Sequence, residues 1–226
     1  MRVMGFPAGM FQTNCYVVAL DDEQECVVID PGQDALEPLK QVFAEHALSP
    51  VAVLLTHGHL DHTWSVQPLC DEFGIPAYIH PDDREMLARP STGLGPQLSG
   101  FVADSDFTEP GTVKDLSDGD KLELAGIEFT IDHTPGHTRG SVVARTTVGG
   151  AGTVDGPRAI VFTGDTLFAG SVGRSDLPGG SHEQLLAAIA DKLLPLEDDT
   201  VILPGHGGTS TIGRERAANP FLQDIR

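Results

Sequence analysis

Three histidines and one aspartate lie within six consecutive residues of the chain: His57, His59, Asp61 and His62. They follow the apolar run 51–55, whose β-branched valines predict a buried strand. The cluster therefore falls at the end of a strand, where loops carry chemistry. Four such side chains are costly to bury unpaired, and a divalent metal ion is the simplest partner for all of them. The alternative is a solvated, histidine-rich loop without an ion.

The spacing of these residues suggests two metal positions. Residues two apart in an extended segment point the same way, so His57 and His59 can address one ion. A turn into a following helix would aim Asp61 and His62 at a second position nearby. Imidazole and carboxylate ligands suit zinc, iron or manganese.

Three further segments repeat the order of apolar strand, tight turn and ligand-type residue. Residues 129–133 lead to His137, residues 159–162 to Asp165, and residues 200–203 to His206. A glycine in each turn permits a sharp change of direction. The repetition favours a metal site assembled from four segments over an isolated polar loop.

Together these residues resemble the ligand set of the metallo-β-lactamase superfamily, most closely its short, single-domain glyoxalase II-like branch. The resemblance runs from about Asn14 to the turn 204–207. Asp165 is the informative position, because true β-lactamases of the superfamily usually have cysteine there. The matching segments are 30–32, 57–62, 134–138, 163–168, 173–176 and 204–207.

The resemblance implies a fold and a complete site. The expected fold is α/β (α+β): one domain over residues 1–226, a four-layer αββα sandwich with the metals at one edge between two mixed sheets. It implies two divalent ions, zinc first, with iron or manganese as alternatives. Asp61 and Asp165 are the expected catalytic residues. The implied ligands are His57, His59 and His137 for site one, Asp61, His62 and His206 for site two, and Asp165 as the bridge.

The implied reaction is hydrolysis of a thioester, as in hydroxyacylglutathione hydrolases. Hydroxide generated at the metals would attack the carbonyl of a small acyl-thiol, so that no serine or cysteine nucleophile is needed. About twenty residues follow His206, so we expect no counterpart of the helical domain that holds glutathione in full-length glyoxalase II.

Two other functions are compatible with the same residues. Persulfide dioxygenases share the fold but use one iron, whose ligands would map to His57, His137 and Asp165. A metal-stabilised binding module is the non-enzymatic alternative. The intact second ligand set favours hydrolysis.

Composition excludes several classes of protein. The net charge of −19, from 33 acidic and 14 basic residues, argues against a nucleic-acid partner. No apolar run approaches the ~20 residues that span a membrane, and no secretion signal is visible, so we expect a cytoplasmic location.

Cys15, Cys26 and Cys70 form no CxxC pair, and we predict buried side chains rather than nucleophiles. The oligomeric state is open.

Periodicity and turn residues predict the remaining elements. Residues 90–118 contain several glycines and prolines among apolar residues, and we expect an irregular segment that covers a cleft rather than a surface insertion. Residues 149–157 are expected to form a glycine-rich turn. The predicted strands are 14–20, 25–30, 51–55, 77–80, 121–124, 127–132, 141–148, 158–163 and 200–203. The predicted helices are 34–46, a segment that begins late or bends at Pro68 and ends at 73, 82–89, 181–194 and a short one near 213.

Several other polar residues have expected roles. Asp30 either accepts a hydrogen bond from a ligand imidazole or a loop amide, or only forms its turn before Pro-Gly. Arg174 and Asp176 are expected to pair with each other. The residues expected to be structural or solvent-exposed are His46, His80, His133, His182, Arg214 and Arg216, the last two with anion contact as the alternative.

Overall fold

The computed structural model describes residues 1–95, 99–148, 158–223 and 225. Two six-stranded sheets form its centre. The first sheet contains β1 to β6: Arg2–Ala8, Thr13–Ala19, Glu25–Ile29, Ser49–Leu54, Ala77–Ile79 and Val113–Asp115. The strands lie in chain order; β1, β2 and β3 pair antiparallel, and β3 to β6 pair parallel.

The second sheet has the strand order β14-β13-β10-β9-β8-β7. Strands β7 to β10 pair antiparallel, β10 and β13 pair parallel, and β11 and β12 form a separate hairpin. The strands β7 to β14 are Lys121–Leu124, Ile127–His133, Val142–Val148, Arg158–Gly164, Leu167–Phe168, Ser171–Val172, Val201–Pro204 and Ser210–Thr211.

Six α-helices are described, with short 3-10 turns between them. Helix α5 continues into a π-helical turn at Ile189–Leu193. No helix within the described residues is both long enough and apolar enough to cross a bilayer. The helices α1 to α6 are Leu36–His46, Leu60–Thr63, Val66–Phe73, Pro81–Arg84, His182–Ala188 and Ile212–Ala218.

Alternation of side chains along β2 explains the layers. Val17 packs with Leu39 and Phe43 of α1 in a core on the outer face of the first sheet. Its neighbour Val18 points the other way, into a core between the two sheets that includes Phe162. A third core packs α5 on the second sheet. The predicted four-layer αββα sandwich is therefore confirmed.

Most predicted elements are present within one or two residues. Pro68 lies in the first turn of α3, where its missing N–H costs no hydrogen bond. The predicted helix 82–89 is split into α4 and a 3-10 turn at Glu85–Leu87. The segment 90–118 is not wholly irregular, since it contains 3-10 turns and the edge strand β6. The predicted turn 149–157 lies outside the described residues.

Candidate metal centre

The first four predicted ligands lie where β4 runs into α2. His57 follows the end of the strand, and His59 is the residue before the helix, with extended φ and ψ of −62° and 142°. Asp61 and His62 occupy the first turn of α2. The change from extended chain to helix redirects the last two side chains, as the spacing predicts.

The other three predicted ligands come from loops of the second sheet. His137 follows β8, Asp165 follows β10 and His206 follows β13. Because β10 and β13 are parallel neighbours, their carboxyl ends meet at one edge of the sheet. The four segments converge at the edge between the two sheets.

Three imidazoles form the first cluster. Nε2 of His137 lies 2.8 Å from Nδ1 of His59 and 3.2 Å from Nε2 of His57. All three side chains are buried. The ligand atoms of the three histidines lie within 4.8 Å of one another, which is the spacing that one ion can bridge.

Asp61, His62 and His206 form the second cluster. Oδ2 of Asp61 lies 3.2 Å from Nε2 of His206 and 3.5 Å from Nε2 of His62. This cluster also meets the 4.8 Å limit for a shared ion. It lies beside the first cluster, since the rings of His57 and His62 are 4.2 Å apart.

Asp165 lies between the two clusters. Its Oδ1 is 3.3 Å from Nε2 of His62, and its Oδ2 is 3.6 Å from Nε2 of both His137 and His206. One carboxylate thus faces ligands from both groups. This is the position that a bridging carboxylate requires.

Hydrogen bonds fix the orientation of the histidines. Asp30 accepts from Nδ1 of His62 at 3.0 Å and from the Oγ1 and N–H of Thr56 at 2.6 and 2.8 Å. Nδ1 of His57 lies 3.1 Å from Oγ1 of Thr56, and Nδ1 of His137 lies 2.7 Å from the carbonyl of Arg174. These oxygens accept a hydrogen bond from each Nδ1. Each neutral imidazole therefore keeps the lone pair on its Nε2 for an ion. Asp30 therefore supports the site and is more than a turn-forming residue.

The local electrostatics hold the two carboxyl groups, His57 and His59 in the protonation states that a cation needs, but not His62 and His206. Burial lowers the pKa of both of these imidazoles, yet Asp165 and Asp61 outweigh it and both pKa values are raised, so each must release a proton when an ion binds. Burial and the nearby His137 lower the pKa of His59 to about 3, and burial with the surrounding histidines holds the pKa of His57 well below its usual value. Burial alone would raise the pKa of Asp61 and of Asp165, but His62 outweighs it and both carboxyl pKa values are lowered. Neutral imidazole and ionised carboxylate are the ligand forms of these side chains.

Unpaired buried atoms show that the residues fit metal ions. Among the described residues, four buried side-chain atoms have no hydrogen-bond partner, and two of them belong to His62 and Asp165. Nε2 of His62 and Oδ1 of Asp165 both face the space between the clusters. Such groups are costly to leave unpaired, and nitrogen with carboxylate oxygen suits zinc, iron or manganese. The donor set fits two divalent ions.

A cavity of about 470 Å³ opens above both clusters. Its base is formed by ligands of the two clusters, and its walls are mostly apolar. Leu94 and Val102 of the segment 90–118 lie on the wall, where a covering segment was expected. We call this space the apolar cavity; its wall residues are Phe11, Leu60, Trp64, Leu94, Val102, Phe168 and Leu177, with Arg174 beside them.

Sequence reasoning missed Asp83, which connects two ligand loops. The side chain is fully buried and accepts hydrogen bonds from the N–H of Gly58, the N–H of Gly140 and the hydroxyl of Thr138, at 2.9, 2.8 and 2.6 Å. These donors are close in sequence to His57, His59 and His137. Nothing in a His-Pro-Asp-Asp segment points to this role, because its partners are two peptide N–H groups and a hydroxyl.

Asn14 has a similar role beside the second cluster. Its side-chain amide donates to the carbonyls of Pro204 and Gly207, both at 2.9 Å, and so fixes the loop that carries His206. Thr13 donates to Asp61 at 3.1 Å. The Asn14 contacts join the first sheet to the His206 loop of the second sheet, whereas the Thr13 contact lies within the first sheet and its connections.

Of the remaining candidates, Arg174 lies beside the first cluster, whereas His80, His133 and Arg216 lie outside the cavity lining. His80 and His133 stack on each other, with ring centres 4.2 Å apart. Arg174 pairs with Asp176 through two hydrogen bonds of 2.8 Å, as expected. Arg216 forms an ion pair with Asp198 and does not line the apolar cavity.

The three cysteines are unsuited to act as nucleophiles. All three are buried, and burial raises the pKa of the Cys26 and Cys70 thiols to about 12 and that of Cys15 well above its usual value. A thiol with a raised pKa is not the thiolate that nucleophilic attack requires. The predicted lack of a cysteine nucleophile agrees with this burial.

Sequence comparison identifies relatives over the full chain. An uncharacterized protein of Mycobacterium tuberculosis is 52% identical over 226 residues, covering 100% of this chain and 99% of the relative. The hydroxyacylglutathione hydrolase GloC of Haemophilus influenzae is 38% identical over 227 residues, covering 98% of each chain.

Solved structures show the same fold. The crystal structure of the B3 metallo-β-lactamase BLEG-1 has a TM-score of 0.79 at 37% identity, covering 98% of this chain and all of that one. TTHA1623, solved in a di-iron-bound form, has a TM-score of 0.77 at 35% identity, covering 97% of this chain and all of that one. The model of the metallo-beta-lactamase superfamily matches residues 8–206. The chain therefore belongs to the metallo-β-lactamase superfamily, in its glyoxalase II-like branch.

Proposed function

We propose that the protein hydrolyses thioesters of small acyl-thiols, using two divalent metal ions. The observation that carries this proposal is the second cluster, Asp61, His62 and His206, beside the first, with Asp165 facing both. The 38% identity to GloC, which is named a hydroxyacylglutathione hydrolase, supports the same reaction.

The proposed ligands are those expected from the sequence. His57, His59 and His137 would hold one ion, and Asp61, His62 and His206 the other, with Asp165 shared. When bound, two such ions polarise a carbonyl and lower the pKa of water to about 7, which provides a nucleophile at neutral pH. We favour zinc, with iron or manganese as alternatives.

The residues of the chain would orient the reactants. Asp61 and Asp165 stay ionised and can accept hydrogen bonds from a water held between them, so that its oxygen faces the substrate carbonyl. Thr13 holds the Asp61 carboxylate, and Asp30 holds His62. The apolar cavity lies directly above these groups and excludes bulk water from the substrate.

The reaction exchanges one bond for another. The oxygen of water forms a bond to the thioester carbonyl carbon, the carbon–sulfur bond breaks, and the sulfur leaves as thiolate, which takes up a proton. The products are a carboxylate and a free thiol, with the second proton of the water released to solvent. No oxidant or covalent enzyme intermediate is required.

Metal analysis combined with thioester assays tests the proposal. The purified protein should contain about two equivalents of metal per chain and release free thiol from acyl-thiols, measured with a chromogenic thiol reagent. A cephalosporin is assayed in parallel, because BLEG-1 is named a β-lactamase. Faster hydrolysis of the β-lactam than of any thioester would overturn the proposal.

A persulfide dioxygenase with one iron is the second candidate. The observation that favours it is the convergence of His57, His137 and Asp165, with Nε2 of His137 3.2 Å from Nε2 of His57 and 3.6 Å from Oδ2 of Asp165. Two histidines and one carboxylate form the ligand set of many non-haem iron oxygenases. One iron per chain, with oxygen uptake on a persulfide and no thiol release from thioesters, would establish this candidate instead.

A further inference from the structure

The apolar cavity has walls from four separate parts of the chain. Phe11 comes from the turn between β1 and β2, Trp64 from the residue after α2, Leu94 from the segment 90–118, and Leu177 from the loop after β12. All four side chains are partly exposed to the cavity or its mouth. A wall assembled from four segments around the ligand clusters is a built pocket, and its volume is in the range of small-molecule sites.

Apart from the proposed metal ions at its base, the walls of the cavity offer little to a charged ligand. Within the described part of its lining, Arg174 is the one lysine or arginine. Its guanidinium already makes two hydrogen bonds of 2.8 Å with Asp176. A substrate carboxylate would have to replace this partner, and it would approach a protein with a net charge of −19.

The aromatic side chains give the cavity its shape. Trp64 packs edge-on against Phe107, with ring centres 5.4 Å apart, and Phe168 lies 6.2 Å from the His206 ring at the base. Phe11 is 48% exposed at the mouth, next to Met10, which is 77% exposed. These apolar surfaces gain free energy only if an apolar group of the ligand covers them.

We propose that the apolar cavity binds the acyl group of the thioester, and that the protein selects substrates whose acyl group is uncharged and apolar. The inference rests on the proposed thioesterase function and specifies its substrate class. Carrier thiols of the cell are polar and charged, so the acyl group is the part of such a substrate that matches these walls. The carrier thiol then extends away from these walls into solvent.

A chain-length series tests the inference by kinetics. The metal-containing protein is assayed with the acetyl, butyryl and hexanoyl thioesters of N-acetylcysteamine and with S-lactoylglutathione. Each buried methylene should raise kcat/KM about fourfold. The hexanoyl thioester should therefore exceed the acetyl thioester by roughly two orders of magnitude, and S-lactoylglutathione should be a poor substrate. Equal rates along the series, or a preference for S-lactoylglutathione, would overturn the inference and leave thioester hydrolysis intact.

Tryptophan fluorescence provides a test that is independent of hydrolysis. Trp64 is the single tryptophan of the chain, so intrinsic emission reports on the cavity wall. The hexyl thioether of N-acetylcysteamine, which cannot be hydrolysed, should change the emission saturably and bind at least about tenfold more tightly than the methyl thioether. If no thioester is hydrolysed but this titration succeeds, only the proposed reaction fails. Absence of saturable binding would contradict the inference.

Two matched phenylalanine substitutions test whether the chain-length dependence of kcat/KM arises at the mouth of the apolar cavity. Phe11 is 48% exposed at the mouth, and Phe221 is 46% exposed outside the cavity lining. Phe11→Ala should lower kcat/KM about fivefold for the hexanoyl thioester and by a smaller factor for the acetyl thioester, which covers less of the wall. Phe221→Ala should change neither. Equal effects of the two substitutions would argue against an acyl site at this mouth.

Discussion

Oδ2 of Asp30 lies 3.0 Å from Nδ1 of His62, and both side chains are almost completely buried. The same carboxylate accepts both hydrogen bonds that Thr56 donates. Asp30 comes from the end of β3, whereas His62 lies in α2. One buried carboxylate therefore couples the first sheet to the second ligand cluster and sets the direction of the His62 lone pair.

Replacing Asp30 by asparagine should weaken metal binding about 10- to 100-fold, because the amide cannot accept all three hydrogen bonds. Asparagine tolerates the positive φ of 50° at this position, so the backbone is not strained. Metal affinity is measured by competition with a chromophoric chelator. Asp34→Asn is the matched control, since Asp34 also has a positive φ, 57°, but is exposed. Equal affinities of the two variants would rule out the orienting role.

Asp165→Ala should have the largest effect of any single ligand substitution, because both oxygens face ligands and the two clusters share them. We expect kcat for thioester hydrolysis to fall about a hundredfold or more, with loss of metal from both positions. Elemental analysis and thiol release measure the two effects. Asp191→Ala, at a side chain that is 78% exposed, serves as the control. Retained metal content together with retained hydrolysis in Asp165→Ala would contradict the shared-ligand assignment.

Asp83→Ala tests the connection between the two histidine loops. The substitution leaves three donors, on Gly58, Thr138 and Gly140, without their buried acceptor. We expect unfolding free energy to fall by about 3 kcal/mol or more, since hydrogen bonds to a charged acceptor are the strong ones. Urea denaturation of the metal-loaded protein measures the change.

The neighbouring residue provides the control for Asp83. Asp82→Ala removes the same group from a side chain that is 57% exposed. It should change the stability by less than about 0.5 kcal/mol. A similar loss in both variants would show that Asp83 is not the specific connection.

The sequence predicts the ligand segments well because each has a strong local pattern. The run 51–55 followed by His57 and His59 combines an apolar strand with polar residues at its end, and both signals are short-range. The four layers follow from the family resemblance rather than from periodicity. Convergence of Asp165 with His206 depends on parallel pairing of β10 and β13, which no local pattern encodes.

Local patterns were insufficient for two kinds of feature. The strand β1 was not predicted, because its sequence, Arg-Val-Met-Gly-Phe-Pro-Ala, contains glycine and proline that disfavour an interior strand. It is tolerated at the edge of the sheet. The supports of the site were also missed where the main chain supplies them, as with the Arg174 carbonyl that accepts from His137. Every residue has a backbone carbonyl, so the residue type does not indicate which carbonyl accepts a hydrogen bond.

Gly205→Ala should disrupt the metal centre by steric overlap alone. A Cβ at this position would overlap the Asp165 carboxylate and lie 2.6 Å from Cε1 of His62. The backbone of Gly205 is not in the left-handed region, so alanine adds no conformational strain there. Two ligands must move, and we expect loss of the second equivalent of metal and of most thioester hydrolysis, with a stability cost of about 1–3 kcal/mol.

Gly208→Ala is the matched control for this substitution. Gly208 lies three residues further along the same loop, and a Cβ there meets no atom within 4 Å. Elemental analysis, thiol release and urea denaturation are compared for the two variants and the parent protein. If Gly205→Ala keeps both equivalents of metal and normal turnover, His62 and Asp165 are not held in the close arrangement that the proposed chemistry requires. If both variants lose metal, the effect belongs to the loop as a whole and not to contact between Gly205 and these ligands.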